Sequence, residues 1–207
     1  YGVIFAAVQT DMKRLLAYSS IENMGIVLAG VGLALIFRAY DMKLLAALAL
    51  AATLYHCLNH ALFKSLLFLA TGSVMHATRH RSLGKLGGLI RPMPWVAALA
   101  LVGILAIAGL PPLNGFVSEW LLFQAFLLTP GLPNSYLNMF VPVATAALAL
   151  AVALAAYVMV KFYGVVFLGQ PREDLSGAHD ADGWERAGML WLAFWCVLLG
   201  VIPVFVV

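Results

Sequence analysis

Charge is what this sequence has least of. Only 10% of its 207 residues are Asp, Glu, Lys or Arg, against 64% apolar, and the mean hydropathy is +0.98. A soluble domain is nearer a quarter charged and half apolar, so the excess must face something other than water. That excludes a water-soluble enzyme, a disordered tail and a nucleic-acid-binding module. The isoelectric point near 9.0 does not readmit nucleic acid, because 12 basic against 9 acidic residues is a small imbalance. Cysteine is scarce as well: Cys57 and Cys196 stand alone in apolar stretches, without the spacing of a disulfide framework, an iron–sulfur cluster or a zinc site. The sequence has no P-loop, no dinucleotide fingerprint and no nucleophile elbow. No cofactor, metal or catalytic residue is therefore expected, and electron transfer would belong to another subunit. The chain opens at Tyr1 with neither Met nor a signal-peptide pattern, and closes in an apolar run reaching Val207. The expectation is a piece of a longer membrane protein.

What is present is length of apolar run. A helix needs about 20 apolar residues to cross the hydrocarbon core. Five stretches qualify after an N-terminal stub: Ser19 to Phe37, Leu44 to Val74, Trp95 to Leu128, Val141 to Leu168 and Ala187 to Val206. None alternates in polarity every second residue, as barrel strands do. The predicted fold class is all-α, a polytopic transmembrane helix bundle, with residues 1–207 forming a single membrane domain within a longer one. Alternating sides puts Lys13, Arg14, Arg79, Arg81, Lys85, Arg91, Arg172 and Arg186 on one face and only Arg38 and Lys43 on the other. The positive-inside rule makes the first face cytoplasmic. Tyr40, Trp95 and Trp184 fall near expected span ends, where interfacial aromatics belong.

Two spans are abnormal. The second could run about 31 residues, or ~46 Å, and must tilt or protrude. The third is interrupted by Ala108-Gly109-Leu110-Pro111-Pro112-Leu113-Asn114-Gly115. Pro111 and Pro112 remove helical hydrogen bonds while Gly109 and Gly115 relax the backbone, and a membrane tolerates such a break only against protein or a hydrated cavity. The spacing predicts a discontinuous helix, two halves joined by an extended segment lying beside the Lys64 face of the second span.

His56, His60 and Lys64 recur every fourth residue, within an arc of about 80° on one helix face that also takes in Thr53 and Thr71. A central lysine alone costs ~3 kcal/mol on insertion scales, so a stripe of three ionisable groups points to a functional proton wire rather than polar packing. Metal binding is disfavoured, because no carboxylate or third ligand stands beside the histidines and Lys64 repels a cation. His76 and His80 belong to the basic loop. Glu119 follows the break, at the expected start of the second half-helix. It fits a proton relay with Lys64 or, alternatively, a static ion pair. Glu22, about one turn inside the first span, reads as a proton-entrance residue or a helix-start carboxylate. Lys161 reads as a snorkelling interfacial lysine.

Four segments carry a resemblance. They are Thr10-Asp11-Met12-Lys13-Arg14-Leu15-Leu16-Ala17-Tyr18-Ser19-Ser20-Ile21, His60-Ala61-Leu62-Phe63-Lys64, Gly84-Lys85-Leu86-Gly87-Gly88-Leu89, and Leu110-Pro111-Pro112 through Glu119. In this order they resemble the antiporter-like membrane subunits of respiratory complex I, Mrp-type antiporters and membrane-bound hydrogenases, over most of residues 1–130. Glu119 stands where the terminal complex I subunit and the large Mrp subunit typically carry lysine, so the combination is most similar to the hydrogenase-4 and formate hydrogenlyase branch.

The resemblance implies a non-catalytic, proton-translocating subunit of an oxidoreductase complex in a prokaryotic inner membrane. Protons would pass laterally through His56, His60 and Lys64 and outward by Glu119, with Glu22 in the same relay. The implied partners are other membrane subunits of a hydrogenase or complex I-like assembly, the lipid bilayer and protons, possible sodium coupling aside. The family's first half would add a second discontinuous helix with a lysine and a glutamate. Two rivals stand beside this reading, Na⁺/H⁺ antiport and a passive membrane scaffold.

Overall fold

The computed structural model describes residues 1–129, 131–175 and 177–203, and the regular elements among them are helices. They are α1 (Gly2–Val8), α2 (Met12–Ala39), α3 (Lys43–Thr78), a 3-10 turn at Leu83–Lys85, α4 (Pro94–Ile107), α5 (Asn114–Leu127), α6 (Ser135–Val166) and α7 (Gly183–Val201). The chain is an all-α transmembrane bundle with one discontinuous helix. Four helices, α2, α3, α6 and α7, are long and apolar enough to cross a membrane. α4 and α5, of 14 residues each, lie on either side of the break. The far end expected for the last span, Val206, lies outside the described residues.

Local chemistry sets the helix starts. The Asp11 carboxylate accepts from the backbone N–H groups of Lys13 and Arg14 and so starts α2 at Met12, seven residues ahead of the expected Ser19. Asn134 does the same for α6 through Tyr136 and Leu137, and Asp182 for α7 through Glu185. α4 is capped from a distance: Asp180 accepts from the N–H groups of Trp95 and Val96, at 2.9 and 3.3 Å. α3 runs 36 residues, or ~54 Å, and stops where Arg79 turns left-handed at φ 59°.

Three turns at one end of the bundle are stitched together. Met12 N–H donates to Arg81 O and Leu83 N–H to Thr10 O, while Gly88 and Ile90 donate to the carbonyls of Leu168 and Phe167. Arg172 donates to the carbonyls of Leu83 and Leu86. The basic and acidic residues here pair with one another: Arg81 with Asp11, Lys85 and His80 with Glu173, and His76 with Glu185.

The interior has two apolar cores with a polar band between them. One core gathers Leu15, Leu16, Phe63, Leu66, Leu67, Ile104, Leu113 and Phe162. The other gathers Ile26, Leu33, Phe37, Ala49, Ala52, Leu122 and Phe126. Each of three helices changes core through a stretch of buried polar residues: Ser19, Glu22 and Asn23 on α2, Thr53, His56 and Asn59 on α3, and Asn114, Ser118 and Glu119 on α5. Aligned polar stretches at this depth cannot come from apolar packing, so the band is the place to look for chemistry. Leucines and valines such as Leu28, Leu35, Leu54 and Val160 cover the outside, as a lipid-facing surface requires.

Candidate functional site

His56 is wholly buried between α2 and α5. Its Nδ1 lies 3.0 Å from Ser118 Oγ and its Nε2 lies 3.2 Å from Asn23 Oδ1. One turn on, Asn59 donates to the backbone carbonyl of Asn114 and accepts from the Asn114 side chain. This reciprocal pair ties the first residue of α5 to the middle of α3. The next residue, His60, is half-buried, packs edge-on to Phe63, and has a buried Nε2 that bonds no protein group among the described residues. Lys64 ends the stripe, donating to Leu16 O and to Ser19 Oγ, each at 2.9 Å.

The carboxylates complete the set. Glu22 is 8% exposed, within electrostatic reach of both Lys64 and Glu119, and its Oε2 is buried without a protein partner among the described residues. Glu119 reaches back toward the break: a Cβ on Gly109 would lie 2.2 Å from its Oε2. The carboxylate thus fills the space a side chain would take, and Gly109 holds φ +64°, a conformation that disfavours side chains. His56, His60, Lys64, Glu22 and Glu119 therefore share one band, contributed by α2, α3 and α5.

Several expectations need correction. The segment between the half-helices is not extended but folded into turns, with Gly109 N–H donating to Ala106 O, Leu110 N–H to Leu105 O and Leu113 N–H to Leu110 O. The turns satisfy carbonyls that an extended segment would leave bare. Gly115 does not loosen this joint. It lies inside α5, where a Cβ would stand 1.9 Å from Ala106 O, so its role is close approach of the two halves. The half-helix after the break, α5, meets this face at His56 and Asn59, while Lys64 bonds α2. Forty degrees of drift every four residues turns the stripe away from α5, and the ammonium finds a carbonyl and a hydroxyl on α2 instead.

Glu119 is the sixth residue of α5, beyond the first turn to which the helix-dipole effect is confined. Because α2 starts at Met12, Glu22 is its eleventh residue, ~15 Å along, and is not at a helix start. Lys161, half-buried near the end of α6, has its ammonium donating to Ala7 O at the end of α1. Thr53 turns its hydroxyl back onto Ala49 O, and the Thr71 hydroxyl is buried without a partner among the described residues.

Sequence reasoning missed Ser19, Asn23, Asn59, Asn114 and Ser118. A signal was there. Ser19, Glu22 and Asn23 are spaced as one helix face, as are Asn114 and Ser118, and each set interrupts an apolar run.

The sequence profile of the NADH:quinone oxidoreductase/Mrp antiporter transmembrane family matches residues 1–141. The chain belongs to this family. It is 42% identical over 201 residues to formate hydrogenlyase subunit 3 of Escherichia coli K12, an alignment covering 97% of this chain and 33% of the relative. It is 40% identical to hydrogenase-4 component B of the same organism, covering 97% of this chain and 30% of that one. This family member thus spans about a third of the length of the curated relatives it matches. A solved archaeal respiratory membrane complex, the membrane-bound sulfane sulfur reductase, contains a chain that superposes with a TM-score of 0.81 at 34% identity, over 98% of this chain and 30% of that one. With bacterial relatives and four apolar helices of spanning length, the chain is a multi-pass protein of a prokaryotic inner membrane.

Proposed function

We propose that this chain is part of a proton-translocating membrane subunit in a hydrogenase or NADH:quinone oxidoreductase-like complex. It relays protons through His56, His60, Lys64, Glu22 and Glu119, with redox energy supplied by partner subunits. It forms one membrane domain, α4, the break and α5 counting as a single span. The observation that carries the reading is the band itself: four buried titratable side chains and the half-buried His60, on three helices, between two apolar cores. Structural packing does not call for such a band, because each ionisable group at membrane depth is costly to keep. The buried His60 Nε2 and Glu22 Oε2, unpartnered among the described residues, are suited to bonding water, which would extend the relay from Lys64. The names of the matched relatives place them in formate hydrogenlyase and hydrogenase-4, which favours the hydrogenase setting.

The family profile also names Mrp antiporters, so sodium is the rival ion. The Lys64 ammonium occupies a carbonyl and a hydroxyl that could otherwise ligate a cation, and among the described residues no group of three His, Cys, Asp or Glu could hold a metal ion. Both observations favour the proton as the coupled ion. The test is Lys64→Ala in the full-length subunit within its membrane complex. Proton pumping by the assembled complex is expected to fall to background, with no sodium requirement in the unsubstituted complex. Pumping at the unsubstituted rate in an assembled mutant would falsify the relay, and ²²Na⁺ uptake linked to turnover would reassign the ion.

A further inference from the structure

The His56 hydrogen bonds fix more than its position. Asn23 donates its Nδ2 to Ser19 O at 2.8 Å, and a backbone carbonyl can only accept, so the amide cannot be flipped. Its Oδ1 therefore faces the His56 ring, and the nitrogen 3.2 Å away, Nε2, must carry a hydrogen in every protonation state. That leaves Nδ1 as the only ring atom where a proton can come and go. Nδ1 faces Ser118 Oγ at 3.0 Å.

Ser118 can serve both states of the ring without moving a heavy atom. Opposite neutral His56 its hydroxyl donates to the bare Nδ1. Opposite the imidazolium it accepts from Nδ1–H, and its own hydrogen turns to Gly115 O at 3.0 Å or Asn114 O at 3.4 Å. Both states of a fully buried ring are thus completely hydrogen-bonded, which removes the penalty for an unmade bond in either one. The titratable group acting on the ring is His60 along α3, and in sequence Glu22 directly precedes Asn23 on α2 and Glu119 directly follows Ser118 on α5.

We propose that Ser118 is the hydroxyl through which His56 exchanges its proton with the α5 side of the band, with Asn23 as the positioning residue that reserves Nδ1 for that exchange. In the uptake step a protonated water gives a proton to Ser118 Oγ and becomes water. The original Oγ–H bond breaks as Nδ1–H forms, and the new hydroxyl hydrogen turns to Gly115 O. Release runs the same bonds in reverse. The inference rests on the proton-relay reading of this site.

The test uses the full-length subunit in its membrane complex, with ¹⁵N-labelled histidine. In the unsubstituted protein neutral His56 is expected as the Nε2–H form, and an Nδ1–H form overturns the proposal. In Ser118→Ala the Nδ1 signal is expected to move toward that of an unbonded nitrogen while Nε2 stays, and proton translocation per redox turnover is expected to fall about tenfold. Translocation by assembled S118A at the unsubstituted rate overturns the proposal. If Lys64→Ala abolishes pumping while S118A does not alter it, Ser118 alone is wrongly assigned. If neither alters it, the relay reading falls with it. Should S118A not assemble, the tautomer in the unsubstituted protein still decides.

Discussion

Tyr55→Phe removes one oxygen atom, and the structure says what that atom does. The Tyr55 hydroxyl donates to Leu199 O in the last turn of α7. In an unbroken helix that carbonyl would accept from the N–H of residue 203, but residue 203 is proline and has none. Proline also drives the preceding Ile202 out of the helical region, to φ −128° and ψ 62°. Tyr55 thus stands in for a missing backbone donor. Losing it leaves a carbonyl unsatisfied beside a side chain only 3% exposed. Such a group costs ~1–3 kcal/mol in proteins generally, while hydrogen bonds in membrane proteins average nearer ~0.6, so ~1.5 kcal/mol is the expected loss.

The decisive comparison is a cycle with Pro203→Ala, which restores the N–H and frees residue 202 to continue the helix. In that background Tyr55→Phe should cost no more than about 0.5 kcal/mol, leaving a coupling of ~1 kcal/mol. Equilibrium unfolding of the full-length subunit in mixed micelles, titrated with denaturing detergent, measures all four corners. Equal losses in both backgrounds would refute the substitution of one donor for the other.

Two further outcomes are expected. A Cβ at residue 200 would lie 2.0 Å from Pro112 O and 2.5 Å from Leu113 C, both backbone atoms of the break. Gly200→Ala should therefore cost ~1–3 kcal/mol and lower the melting temperature, and an unchanged melting curve would mean that α7 does not brace the break. Lys161→Met keeps the stem but removes the ammonium from Ala7 O, 2.7 Å away. Amide hydrogen exchange in α1 should then speed up about tenfold with other helices unaffected, and unchanged exchange would show that α1 is held by packing alone.

The spans and the break were legible because they rest on single-residue facts: apolar length, and two prolines that cannot donate. Much of the band was legible too, since Lys64 and its histidines are conspicuous in hydrocarbon. What the sequence hid was which neighbour each side chain meets. The drift that carries Lys64 from α5 to α2 depends on where α2 lies, and no property of α3 encodes that. Glu22 looked like a helix-start residue because Lys13 and Arg14 seemed to precede the span, whereas the Asp11 cap adds two turns of helix. The uncharged members of the site, Ser118 and Asn23, carry no insertion penalty large enough to stand out until their partners are seen.

The stitched turns at 9–12, 79–93 and 167–181 have a mechanical consequence. At the opposite end, the turns at 40–42 and 128–134 make only local hydrogen bonds among the described residues. Each long helix is therefore tied to its neighbours by turn hydrogen bonds at one end and held by apolar packing alone at the other. For a 36-residue helix of ~54 Å, a tilt of about 2° at the clamp carries the tip ~2 Å sideways. A small rearrangement beside Lys64, ~21 Å along α3 from the clamped end, is read out at about 2.5 times its size by the far turns. A spectroscopic label belongs there rather than next to the protons.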